Sequence, residues 1–99
     1  MVVDFESELW LWAARKTESW TFVSLPVEAS DEIRDRTEGL RRGFGSVRVK
    51  ASVGASHWRT SIFPGGDGVY VLPIKRAIRT AQGLEVGDVA TVSVELIDV

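Results

Sequence analysis

Apolar and polar residues alternate with a period of two over much of this chain, as in strands with one buried face. From Asp4 to Trp12 the alternation sets Phe5, Ser7, Leu9 and Leu11 against Glu6, Glu8, Trp10 and Trp12. This predicts one strand with the first set inward. A polar connection, Ala13–Glu18, leads to a second strand, Ser19–Leu25, rich in aromatic and β-branched residues. In Gly43–Val53, Val47, Val49, Ala51 and Val53 share one face, and Ser46, Arg48, Lys50 and Ser52 share the other. A turn over Gly54–His57 starts a strand with Trp58, Thr60 and Ile62 on one side and His57, Arg59, Ser61 and Phe63 on the other. Val47, Val49, Trp58 and Ile62 are the expected buried residues of that hairpin. Pairing Val53 with Trp58 would set Ser52 against Arg59, Lys50 against Ser61, and Arg48 against Phe63. Pro64-Gly65-Gly66-Asp67-Gly68 is the next strong turn signal.

Two segments leave this period. After Leu25-Pro26, the stretch VEASDEIRDRTEG has acids early and Arg34 and Arg36 late, as a helix dipole prefers, and Gly39 stops it. After Leu72, Pro73 suits the first position of a second helix, where its missing N–H is not needed. Ile74, Ala77, Ile78 and Ala81 then recur at helical spacing, and Gly83 can close the helix in a left-handed conformation. A Gly87-Asp88 turn launches the last strand, with Ala90, Val92, Val94 and Leu96 predicted inward. The order hairpin, Leu-Pro, helix, GLxxG, strand thus occurs twice, over approximately residues 4–53 and 57–97. An internal duplication is the better explanation of that order. Two ββαβ halves give six strands, which can close on themselves and hide their edges, with a helix at each end.

The unit VYVLPIKRAIRTAQGLEVGDVATVSVEL resembles the swapped-hairpin unit of AbrB- and MazE-type transcription factors. Over nearly its full length the chain resembles a small bacterial family known as domain of unknown function 1905. The stretches FESELWLW, WTFVSLP, RRGFGSVRV, WRTSIFP, YVLPIKRAIR and GLEVGD carry that resemblance. It implies a mostly β fold with two short helices, a six-stranded double-split β-barrel related to the AbrB-like fold. It implies no established activity. In some relatives a second domain associated with bacteriocin protection follows; this sequence ends at Val99 without one.

At 99 residues the chain is expected to form one domain, 1–99, burying about two-thirds of the surface it exposes when unfolded. Acids outnumber bases, 14 to 12, which disfavours bulk attraction to nucleic acid or anionic lipid. The absence of cysteine removes disulfides and thiolate chemistry. The start, MVVDFESELWLW, lacks the basic region of a signal peptide, and no apolar run has the length of a membrane span. A soluble, cytoplasmic protein is expected, folding as a monomer, with weak association through Trp10 and Trp12 left open.

No catalytic constellation is legible. His57 has no neighbouring carboxylate and reads as a surface or turn residue, Gly65 to Gly68 as a hairpin turn, and Glu6 and Glu8 as a solvated face. No metal site or cofactor is expected. The informative feature is that no acid occurs from Gly39 to Gly66, where Arg41, Arg42, Arg48, Lys50 and Arg59 fall. Arg48, Lys50 and Arg59, with Ser61 among them, form a candidate site for an anionic small molecule or protein partner, with Arg41 and Arg42 as further candidates. The alternative is a solvated face that answers the acidic N-terminal strand. Trp10 and Trp12 either lie under a helix or mark a partner surface. The expected function is a small, non-enzymatic binding module; the alternative is an AbrB-like nucleic-acid binder acting as a dimer.

Overall fold

The computed structural model describes residues 1–15, 18–39 and 45–97. Its elements follow the chain as β1 (Val2–Glu8), β2 (Trp10–Arg15), β3 (Glu18–Ser24), α1 (Val27–Thr37), β4 (Val47–Val53), β5 (Ser56–Pro64), β6 (Tyr70–Pro73), α2 (Arg76–Gln82) and β7 (Val89–Leu96). The strands pair antiparallel in the order β1-β7-β4-β5-β6-β3-β2 and curl into a half-barrel. Strand β5 serves both halves of the sheet, pairing with β4 over Ser56–Ile62 and with β6 at Phe63 and Pro64. No helix among the described residues is long and apolar enough to cross a membrane.

The described sheet has seven strands rather than six because the first expected strand divides at Leu9. Leu9 is fully buried; its N–H donates to Asp88 O at 2.9 Å, and its carbonyl accepts from Gly87 N at 2.8 Å. Before it, β1 pairs with β7; after it, β2 pairs with β3. A single residue therefore carries the chain from one edge of the sheet to the other. Leu11, expected inward, lies on the edge strand and is 52% exposed.

The concave side holds the core. Val47, Val49, Ala51 and Val53 from β4 and Ala90, Val92, Val94 and Leu96 from β7 are all buried there, as their alternation requires. Ile62, Val23, Leu25, Tyr70 and Leu72 join them from the other half. Trp58, expected in the core, is only partly buried and packs against the core's margin.

Helix α1 begins after Pro26 and turns Ile33, Ser30 and Thr37 inward. Its outer face carries the ion pairs Asp31–Arg34 and Glu32–Arg36, each 3.0 Å long at helical spacing. The Ser30 hydroxyl oxygen accepts the Tyr70 backbone N–H at 3.0 Å, joining α1 to β6. Pro73 departs from expectation. It ends β6 opposite Phe22, and α2 starts only at Arg76 with Lys75 as its cap. Pairing between β5 and β6 has stopped by then, so the N–H that proline lacks is not required. In α2, Ile78 is buried while Ala77 and Ala81 are exposed, a narrower stripe than the spacing predicts. Gly83 closes the helix at φ 63°, and Leu84 N donates back to Arg79 O at 2.9 Å.

Candidate functional site

The basic cluster lies on the convex side of β4 and β5. Its hairpin register is shifted by two from the expected one, because the turn is a tight Gly54-Ala55 with Val53 opposite Ser56. A shift of two leaves every side chain on its expected face but changes its neighbour. Lys50 stands opposite Arg59, Arg48 opposite Ser61, and Ser52 opposite His57. Arg48, Lys50 and Arg59 are exposed and, among the described residues, make no ion pair. Lys50 also faces Glu95 across β7, so one row reads Val2, Glu95, Lys50, Arg59. That row borders a shallow concavity of about 420 Å³ with Ser52, His57 and Ser93. The other two basic candidates, Arg41 and Arg42, lie outside the described residues.

His57 Nδ1 and Ser52 Oγ share a hydrogen bond of 2.8 Å on this open face. A serine–histidine pair is half of a nucleophilic site. Both residues are solvent-accessible, and no described carboxylate hydrogen-bonds the ring to orient the imidazole for catalysis.

The other half of the sheet presents a different surface. Directly opposed residues project from one face, and the registers pair Trp10 with Phe22, Trp12 with Trp20, Ser24 with Val71, and Phe63 with Val71. Thr21, Val23 and Leu72 take the alternate positions and are buried, so the aromatic set faces outward. Trp10, Trp12 and Trp20 therefore lie on the outward face. Trp12 is 48% exposed, Trp20 55% and Phe63 40%.

The rings of Trp10, Trp12, Phe22 and Phe63 line a groove of about 640 Å³ together with the turn from Pro64 to Asp67. Trp10 is held in place: its indole Nε1–H donates to Ser24 Oγ at 3.0 Å, and its ring lies 5.2 Å from that of Phe22. Trp20 also stacks on Phe22, with centroids 6.3 Å apart. The turn folds back through Gly65 N–H to Val69 O at 2.7 Å. A side chain at Gly65 would place its Cβ 2.8 Å from that same carbonyl oxygen, so the close approach demands glycine. Asp67 Oδ1 accepts from Val69 N at 3.4 Å, at the rim.

The family model described as Domain of unknown function (DUF1905) matches residues 5–94. The chain belongs to the DUF1905 family. The match runs from Phe5 in β1 to Val94 in β7 and so reaches every strand and both helices. None of the curated proteins compared matches the chain.

Within this DUF1905 domain the structure joins the partner-surface candidates, Trp10 and Trp12, to residues that sequence reasoning missed: Phe22, Ser24, Phe63 and Asp67. Among the described residues no helix lies over that pair; the two rings line an open groove. The signal available in the sequence was parity. Residues 10, 12, 20 and 22 are all aromatic at alternate positions of adjacent strands, while Leu9, Thr21 and Val23 between and beside them are buried.

Proposed function

We propose that this domain is a small, non-enzymatic binding module whose ligand site is the outer aromatic groove. The observation that carries the reading is the convergence of Trp10, Trp12, Phe22 and Phe63 on one outward face, in a volume typical of small-molecule sites. Large aromatic side chains gain most by burial, and leaving several half-open on a small domain is costly unless something covers them. Titration of ¹⁵N-labelled protein with indole, a neutral aromatic probe, tests it. Expected are shifts of the Trp10 and Trp12 indole N–H signals and of the Gly65 to Asp67 amides, weakened by Trp12→Ala. Shifts confined to the basic face, or none at all, would overturn the reading.

The strand pairings support descent from a duplicated ββαβ unit. Counting β1 and β2 as one divided strand, β1–β7 is answered by β5–β4 and β2–β3 by β5–β6, while β3 pairs with β6 and β4 with β7. That correspondence supports the six-stranded double-split reading, in which one chain completes the barrel and folds as a monomer. Leu25 and Leu72 each follow one member of the Ser24–Val71 pair. An approximate twofold axis would pass through that pair, at the floor of the groove. Its two walls, β2 and the Pro64–Asp67 turn, then descend from equivalent segments that have diverged.

A second reading rests on Lys50 facing Arg59. Like charges directly opposed across a ladder cost stability, and an anion between them would relieve it. If this face holds phosphate groups, as an AbrB-like nucleic-acid binder would, duplex DNA should bind with an affinity that falls steeply with salt. Lys50→Glu and Arg59→Glu should each abolish that binding. Binding that ignores salt, or survives both charge reversals, would remove this reading.

A further inference from the structure

We infer that the aromatic groove takes a small alkylated ammonium ion of the trimethylammonium type, with Asp67 as its counter-charge. This rests on the groove being the ligand site. Asp67 is the one ionisable side chain on the groove's described lining; no lysine, arginine or histidine accompanies it. An anion would meet a carboxylate with nothing to compensate it. A metal ion or a bare ammonium would surrender its hydration to walls made mostly of hydrocarbon. A neutral apolar ligand would leave the carboxylate's negative charge uncompensated.

A methylated ammonium satisfies all three constraints. Its charge is spread over methyl groups that need no hydrogen bonds, and aromatic faces attract it through their quadrupoles. Trp10, Trp12, Phe22 and Phe63 supply the rings, and Asp67 stands at the rim. The walls are set before any ligand arrives. Ser24 fixes the Trp10 indole, Phe22 packs against Trp10 and Trp20, and the Gly65 N–H holds the turn against Val69. At about 640 Å³ the groove exceeds a trimethylammonium head and leaves room for the short chain attached to it.

The test compares choline with 3,3-dimethylbutan-1-ol, in which carbon replaces the charged nitrogen at the same shape. Binding is followed by calorimetry and by the indole N–H resonances. Choline should bind roughly tenfold tighter than the neutral isostere, a difference in the range of a partly desolvated cation–π site. Asp67→Asn should reduce that difference by the share owed to the counter-charge and leave the isostere unaffected. Asparagine keeps the oxygen that accepts from Val69 N, so the turn should survive, and an unchanged melting temperature confirms it. Trp12→Ala, at an exposed position, should lose choline binding in a folded protein. If the isostere binds as tightly as choline, or Asp67→Asn changes nothing, the cation inference fails while the groove remains a ligand site. If neither compound reaches the groove and indole does not either, both readings fail together. Indole N–H shifts that follow protein concentration instead of ligand would make a second copy of the chain the occupant and overturn the inference.

Discussion

Leu9→Ala is expected to remove about 3 to 4 kcal/mol of stability, near the middle of the range for emptying a well-packed leucine site. Against a typical domain stability of about 5 to 15 kcal/mol, this is a large share of the whole. Leu9 has no exposed surface, and it sits where β1 becomes β2. Its backbone is fixed on both sides by bonds to Asp88 and Gly87. Loosening it should therefore disturb two ladders that share no rung, β1–β7 and β2–β3. Urea denaturation measures the loss, and hydrogen exchange should show both ladders opening faster together. Leu11→Ala, two residues along on the open edge, should cost well under about 1 kcal/mol because little transfer energy is at stake. Equal effects at the two positions would contradict this division of the strand.

Tyr70 should give opposite results in two substitutions. Tyr70→Ala is expected to cost about 3 to 5 kcal/mol, as for other buried aromatics. The ring has no exposed surface, and the Arg34 guanidinium lies over it at 5.8 Å while donating to Gly68 O. Tyr70→Phe should instead be neutral or stabilising by up to about 1 kcal/mol. The hydroxyl is buried and finds no hydrogen-bond partner among the described residues, so its desolvation is uncompensated. The backbone N–H of residue 70 keeps its bond to Ser30 in either variant. Thermal unfolding of the pair decides. A phenylalanine variant losing more than about 1 kcal/mol would mean the hydroxyl is bonded in solution.

Strand phase was legible wherever one face is buried. The runs from Val47 to Val53 and from Ala90 to Leu96 declare their inward sides without ambiguity. Register was not, because shifting the β4–β5 hairpin by two keeps the same residues inward. Only the two-residue turn at Gly54-Ala55 distinguishes Ala51–Trp58 pairing from Val53–Trp58. The break at Leu9 was hidden for a related reason: alternation runs through it unchanged, while the partner strand changes. Membership of the DUF1905 family was legible from short motifs over most of the chain. The groove was only half legible. Trp10 and Trp12 stood out as aromatics on a polar face, but Phe63 and Asp67 join them only because β3 pairs with β6, which no local pattern announces.

The β1–β7 ladder has a mechanical consequence. Val2 pairs with Glu95 and Glu8 with Val89, so the first and last described strands begin and end at the same place. The β4–β7 ladder likewise starts at Leu96. Tension applied at residues 1 and 97 would therefore load these rungs one at a time, parting them as a zipper parts, instead of shearing all of them at once. Little force is needed until the tear reaches Leu9. There the pull meets a buried side chain and two backbone bonds together, which makes that residue the latch.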